Sequence, residues 1–419
     1  MGFEAMWREL LPVGRDADGG GYHRFAWTPP ELECRAWFAD QARRRGMPLE
    51  HDRNGNMIAW WLPAGWTWRD GRPHRDQGAG PAGGDAGPED AVLTGSHLDS
   101  VPGGGAFDGP LGIVSAFAAV DLLRERGAVL RRPIGIAAFA EEEGARFGVA
   151  CLGSRLLAGA IDPARARGLT DGEGRTFAEV LHGAGLDPDA IGPDEDLLGR
   201  VGCYVELHVE QGRALAEPVG VASSIVPHGR WRFGFAGEGN HAGTTALADR
   251  RDPMIPFAGM VLAARAAAER NGTVATVGKV RVVPGGVNAI ASSVTAWLDA
   301  RGPADDAVRR TVDEVGAAAR DAARPHRVTV EFAEESYTEI VDFNLALRDR
   351  LVGTLGGAPV LPTGAGHDAG VLSARVPTAM LFVRNPTGVS HAPAEHAETA
   401  DCLAGVDALA AVLDDLARG

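Results

Sequence analysis

The chain has 419 residues, too many for one hydrophobic core, so two domains are expected. Apolar residues make up 45% and charged residues 23%, and a formal charge of −15 opposes wrapping nucleic acid or settling on an anionic membrane. No apolar run reaches the roughly 18 residues of a membrane span, and MGFEAMWREL has no signal-peptide core. The four cysteines (Cys34, Cys151, Cys203, Cys402) lack CxxC spacing and read as small core residues of a reducing compartment, the cytoplasm.

In chain order, NMIAWWLP reads as a strand. Arg69 to Asp90 is dense in Gly, Pro and Asp, has no apolar period, and reads as a mobile surface loop. AVLTGSH is a strand and LGIVSAFAAVDLLRERG a helix closed by glycine. RPIGIAAFA, VGCYVELH and TAMLFV are short continuous apolar runs, the kind buried on both faces of a sheet. Such alternation predicts an α/β layer fold. Between about Pro218 and Glu334 the rhythm changes to β-α-β-β-α-β, a ferredoxin-like order. The expected organisation is a catalytic domain in two parts, 1–216 and 336–419, around an inserted α+β unit at 217–335.

Four stretches each put a metal-competent side chain just beyond an apolar run. AVLTGSH delivers His97, IGIAAFAEEEG delivers Glu141, Glu142 and Glu143, CYVELH delivers His208, and AMLFVRNPTGVSHAP delivers His391. Strand carboxyl ends line the ligand crevice of open α/β sheets, so the four should meet in one site. Asp108 returns towards His97 through the glycine-rich turn VPGGGAFDG. Imidazoles with carboxylates suit a borderline divalent metal such as zinc, and one aspartate can bridge two ions that activate water and polarise a carbonyl. A neighbouring carboxylate is then free to act as general base.

The ordered motifs TGSHLDSVPGGGAFDG, EEEGARFG, ELHVEQG, GNHAGTT, PGGVNAI and GVSHAPAE resemble those of the dinuclear-metal amidohydrolases. That family includes allantoate amidohydrolase, N-carbamoyl-L-amino-acid hydrolase and β-ureidopropionase. The resemblance runs from about Asn54 to Asp401. It implies an M20-type, zinc-peptidase-like mixed-sheet catalytic domain with an inserted lid domain that also forms a homodimer. It also implies two divalent ions, Zn²⁺ first and Mn²⁺, Co²⁺ or Ni²⁺ after it. By the likeness Asp108 bridges, His97 and His208 complete one ion, and Glu143 and His391 the other. Glu142 is the base and Glu143 the ligand, a register favoured over Glu141 as base with Glu142 as ligand because the family has glycine, here Gly144, directly after the ligand glutamate, and Asp99 orients His97.

His241, Asn288 and Arg301 match substrate-recognising positions. An arginine takes a carboxylate bidentately, and a histidine can hold an oxyanion. Gln211 and His367 are further substrate-contact candidates. HAGTTALADRRDP departs from the family's HAGTTPM, and GVASSIVPHGRWRF lacks its glycine-rich turn, which leaves substrate choice open. The expected reaction removes the carbamoyl group from allantoate or an N-carbamoyl-L-amino acid by metal-activated water. A short N-acyl or N-formyl amino acid ranks next, then a peptidase, then a silent binding protein.

Overall fold

In the computed structural model, which describes residues 2–76 and 91–418, the polypeptide is organised around a large mixed sheet. The strands of the whole chain, in order, begin with β1 (Leu49–His51), β2 (Met57–Trp61), β3 (Trp66–Arg69), β4 (Arg72–Arg75), β5 (Ala91–His97), β6 (Ile134–Phe139), β7 (Val201–Val209) and β8 (Val219–Ile225). There follow β9 (His228–Ala236), β10 (Asn240–His241), β11 (Val274–Val283), β12 (Ala289–Ile290), β13 (Ser293–Arg301), β14 (Thr329–Thr338), β15 (Val341–Asp342), β16 (Val360–Thr363) and β17 (Thr378–Val383).

The large sheet runs β1-β2-β6-β5-β7-β17-β8-β15, with β16 on β8. Its centre, β6-β5-β7-β17, is parallel, and β2 and β8 flank it antiparallel. Every residue of β5, β6 and β17 is buried, as continuous apolar runs covered on both faces require. Helix Pro110–Glu125 starts with proline directly after Gly109, where a missing N–H costs nothing. It packs with helix Thr399–Arg418 into the main core, together with Val205, Leu207 and Leu381 of the sheet.

Two readings need correction. The stretch Arg69–Asp90 is not loop throughout, because Arg72–Arg75 pairs with Trp66–Arg69 as a hairpin; residues 77–90 lie outside the described residues. And Val219–Ile225, taken with the inserted rhythm, pairs instead with β17 in the large sheet.

The chain divides into two units, 1–223 with 342–419, and 224–341. The second has four antiparallel strands in the order β11-β13-β9-β14. Burial alternates along β9, so Trp231, Phe233 and Phe235 meet Met260 and Ala264 of helix Met254–Asn271 and Val312, Val315 and Ala319 of helix Asp305–Ala323 in a core of their own. Among the described residues no helix is long and apolar enough to cross a membrane.

Candidate metal centre

The parallel strands β5, β6, β7 and β17 end on one side of the sheet, and the predicted ligands gather there. His97 is the last residue of β5 and His208 the penultimate residue of β7. Each donates Nδ1–H to a backbone carbonyl: His97 to Asp99 at 3.1 Å and His208 to Val209 at 2.9 Å. Each Nε2 is thereby left as a lone pair. Both face Asp108 Oδ1, at 3.6 Å from His97 and 3.1 Å from His208. The turn that returns Asp108 requires glycine at Gly109, where φ is +81° and an added Cβ would sit 2.5 Å from the His97 ring.

On the other side of the aspartate, His391 Nε2 lies 3.2 Å from Asp108 Oδ2 and 3.6 Å from Glu143 Oε2. Two groups able to hold an ion, His97–Asp108–His208 and Asp108–Glu143–His391, therefore share Asp108. The donors fit a divalent metal. The buried His97 Nε2 has no hydrogen-bond partner among the described residues, and imidazole lone pairs converge on a carboxylate. Asp99 sets the acidic turn in place by accepting the amides of Glu142 (3.3 Å) and Glu143 (3.1 Å). The three glutamates part company. Glu141 Oε1 accepts the amides of Arg146 and Phe147, whereas Glu142 Oε2 lies 3.6 Å from His97 Nε2 and Glu143 faces His391.

Electrostatics follows from burial and proximity. Burial opposes the charge on His97, but Glu142, Asp108 and Asp99 outweigh it and hold its pKa well above the ordinary imidazole value. Burial would raise Asp108, yet the imidazoles of His208, His391 and His97 gathered around it keep it well below the usual carboxylate range. Desolvation pushes Glu143 up to about 7 and Glu141 to about 8, and lifts Glu142 well above the usual range.

Gln211 Nε2 donates to Asp108 Oδ2 at 2.7 Å and lies 3.3 Å from His391 Nε2, so this residue sits at the shared carboxylate. His367, read from the sequence as a substrate contact, is 3% exposed and packs its ring 4.5 Å from that of His208. His241, Asn288 and Arg301 belong to the second unit. There the Ala242 amide donates to the Asn288 carbonyl at 3.0 Å, which brings the His241 and Asn288 turns together. Arg301 donates to Asp299 through Nε and Nη2 at 2.8 and 3.2 Å.

Three participants escaped the sequence reading. Glu206 accepts from Ser96 Oγ and the Ala369 amide beneath the site; its place two residues before His208, on the same strand face, was the available signal. Glu395 accepts the amides of Phe107 and Asp108, and the Cys151 thiol donates to Glu142 Oε1 at 3.2 Å. Glu395 closes the motif GVSHAPAE but was given no role there, and nothing local marks Cys151.

Comparison with known proteins gives a consistent picture. The family model described as Peptidase family M20/M25/M40 matches residues 93–415. An N-carbamoyl-L-amino acid amidohydrolase of Geobacillus stearothermophilus is 36% identical, the match covering 99% of both chains. Allantoate amidohydrolase of Escherichia coli (strain K12) is 31% identical over 97% of this chain and 96% of its own. The crystal structure of an amidase of the hydantoinase/carbamoylase family from Burkholderia vietnamiensis superposes with a TM-score of 0.84 at 25% identity, covering 100% of this chain and 97% of that one.

Proposed function

The chain belongs to peptidase family M20/M25/M40 and is an amidohydrolase acting on carbon–nitrogen bonds; from that premise we propose that it removes the carbamoyl group from an N-carbamoyl-L-amino acid or from allantoate. The observation that carries this reading is the sharing of Asp108 by two ligand groups, with a further buried carboxylate, Glu142, beside them that, among the described residues, accepts no backbone amide as Glu141 does. Two divalent ions, Zn²⁺ or else Mn²⁺, Co²⁺ or Ni²⁺, would supply Lewis acidity towards a carbonyl and lower the pKa of water there.

Glu142 takes the proton of the attacking water and returns it to the leaving nitrogen. Its reach is set by the Cys151 thiol on one oxygen and His97 near the other. Asp99 orients His97, and His367 backs the ring of His208. On the family likeness His241 stabilises the oxyanion, Arg301 and Asn288 receive the substrate carboxylate, and Gln211 exchanges its contact with Asp108 for the ureido head. We read 224–341 as the inserted ferredoxin-like lid and dimerisation domain of a homodimer, supported by its strand order. Four buried thiols support a cytoplasmic setting.

The test is release of ammonia and amine by the metal-loaded enzyme from N-carbamoyl-L-amino acids, allantoate and N-formyl-L-glutamate, with Glu142→Ala beside it. Turnover of a carbamoyl substrate is expected, with kcat lower by about 10²–10⁴-fold in the variant while metal is retained. Activity surviving in Glu142→Ala would move the base to Glu141. No turnover of any of the three by enzyme holding two ions would end the proposal.

A further inference from the structure

We propose that Glu395 is a positioning residue that ties together the two loop-borne ligands, Asp108 and His391, and so sets the span of the metal centre; this rests on reading both as ligands. His97 and His208 need no such device, since they stand on β5 and β7, whose parallel pairing fixes their separation. Asp108 and His391 do need one. Asp108 ends a glycine-rich loop. His391 has φ +55°, an unusual conformation for a side-chain-bearing residue, and its side chain is 51% exposed, so packing does little to hold it.

Glu395 lies four residues beyond His391 and is 4% exposed. Its amide donates to the Ala392 carbonyl at 3.0 Å, closing a turn directly after the histidine. Its Oε1 then accepts two consecutive amides of the other loop, Phe107 at 3.1 Å and Asp108 at 3.0 Å. A single carboxylate oxygen thus holds the backbone of one ligand from the turn that carries the other. Bonds from charged acceptors to backbone N–H are among the stronger ones available.

The glycine run of the loop agrees. Gly105 has no left-handed φ to explain it, yet a Cβ there would come within 2.3 Å of Glu395 Oε1 and 2.5 Å of Glu395 Cβ. Gly105 is where the loop makes room for this carboxylate. Glu395 Oε2 is buried and has no partner among the described residues, so Oε1 alone carries the connection.

The experiment measures Zn²⁺ binding by chelator competition and stoichiometry by elemental analysis on wild type, Glu395→Ala, Glu395→Gln, Gly105→Ala and His391→Ala. Wild type should bind two ions and His391→Ala one. In Glu395→Ala and Gly105→Ala the ion lost in His391→Ala should bind about 10–100-fold more weakly, and the other, which shares Asp108 but is anchored by His97 and His208 on their strands, should weaken by less, as expected for a partner outside the ligand set. Glu395→Gln, which keeps an accepting oxygen, should bind both ions as wild type does. Wild-type binding by both Glu395→Ala and Gly105→Ala would overturn the proposal, and so would a Gln variant as impaired as Ala. If Glu395→Ala does not fold, Gly105→Ala and Glu395→Gln decide it alone. His391→Ala retaining two ions would instead overturn the ligand assignment, a failure seen separately.

Discussion

In the proposed reaction Cys151 acts through Glu142. It has φ +55°, strained for a residue with a Cβ, and opens the short helix Leu152–Ala158. The amides of Cys151, Leu152 and Gly153 donate to the carbonyls of Glu142, Glu141 and Ala140 at 2.6, 3.0 and 2.9 Å. The acidic turn is therefore held by its backbone, and the thiol is carried onto Glu142 Oε1. Removing that donor frees the carboxylate to rotate and alters none of the residues proposed to receive the substrate. Cys151→Ala should lower kcat by about tenfold, the order of one hydrogen bond to a charged group, with KM little changed, and Cys151→Ser should recover part of the loss. Steady-state kinetics on the three proteins decides it: a rise in KM at constant kcat would mean that the thiol does not act through Glu142.

At the scale of elements, the turn before β2 reaches the same acidic segment from behind. Asp52 Oδ1 accepts the amides of Asn54 and Asn56 at 2.9 and 2.8 Å, and its Oδ2 accepts from Asn56 Nδ2 at 2.7 Å. Asn56 in turn accepts the Ala140 amide at 3.0 Å and donates to the Gly153 carbonyl at 3.2 Å, which pins the end of β6 to the helix that follows. Burial, against these donors, pushes the Asp52 carboxyl up to about 6 from 3.8. A folded-state pKa above the unfolded one means that the native state binds the proton more tightly. The associated stability is full below pH 3.8 and is lost as pH rises through about 6, amounting to about 3 kcal/mol. Asp52→Asn cannot titrate and turns an N–H₂ group towards donors, so it should be less stable than wild type at both ends of this range. The gap should narrow from pH 4.5 to pH 7, because wild type alone loses the proton. Thermal midpoints of both proteins at the two pH values test this, and a gap that widens with pH would refute it. What could be read from the sequence follows the same division by range. The strands β5, β6, β7 and β17 and the helices Pro110–Glu125 and Asp305–Ala323 were legible because burial writes a local apolar pattern. The candidate ligands were legible as a group because they follow those patterns, and their side chains do gather in one place. The β3–β4 hairpin carries no such period, β8 is assigned by pairing with a strand some 160 positions away, and Glu395 is defined by amides 288 and 287 positions distant. Non-local hydrogen bonding leaves no periodic trace.

For the molecule as a whole, every group able to hold an ion among the described residues lies in 1–223 or 342–419, while 224–341 has its own core. Near the two ligand groups, Asp99, Glu141, Glu142, Glu206 and Asp368 add buried carboxylates to a chain already carrying −15. Bound cations offset that charge, and binding to the folded state alone stabilises it by about 4 kcal/mol at a thousandfold excess over Kd. The benefit should be confined to the unit that supplies the ligands, since local opening is governed by each unit's own contacts. Chelation followed by amide hydrogen exchange should therefore lower protection in β5 and β7, by up to about 10³-fold where exchange proceeds by opening of the whole unit. Protection in β9 and β13 should stay unchanged. Loss of protection in β9 and β13 to the same extent would show that the two units open as one cooperative block, and that the metals stabilise the entire chain.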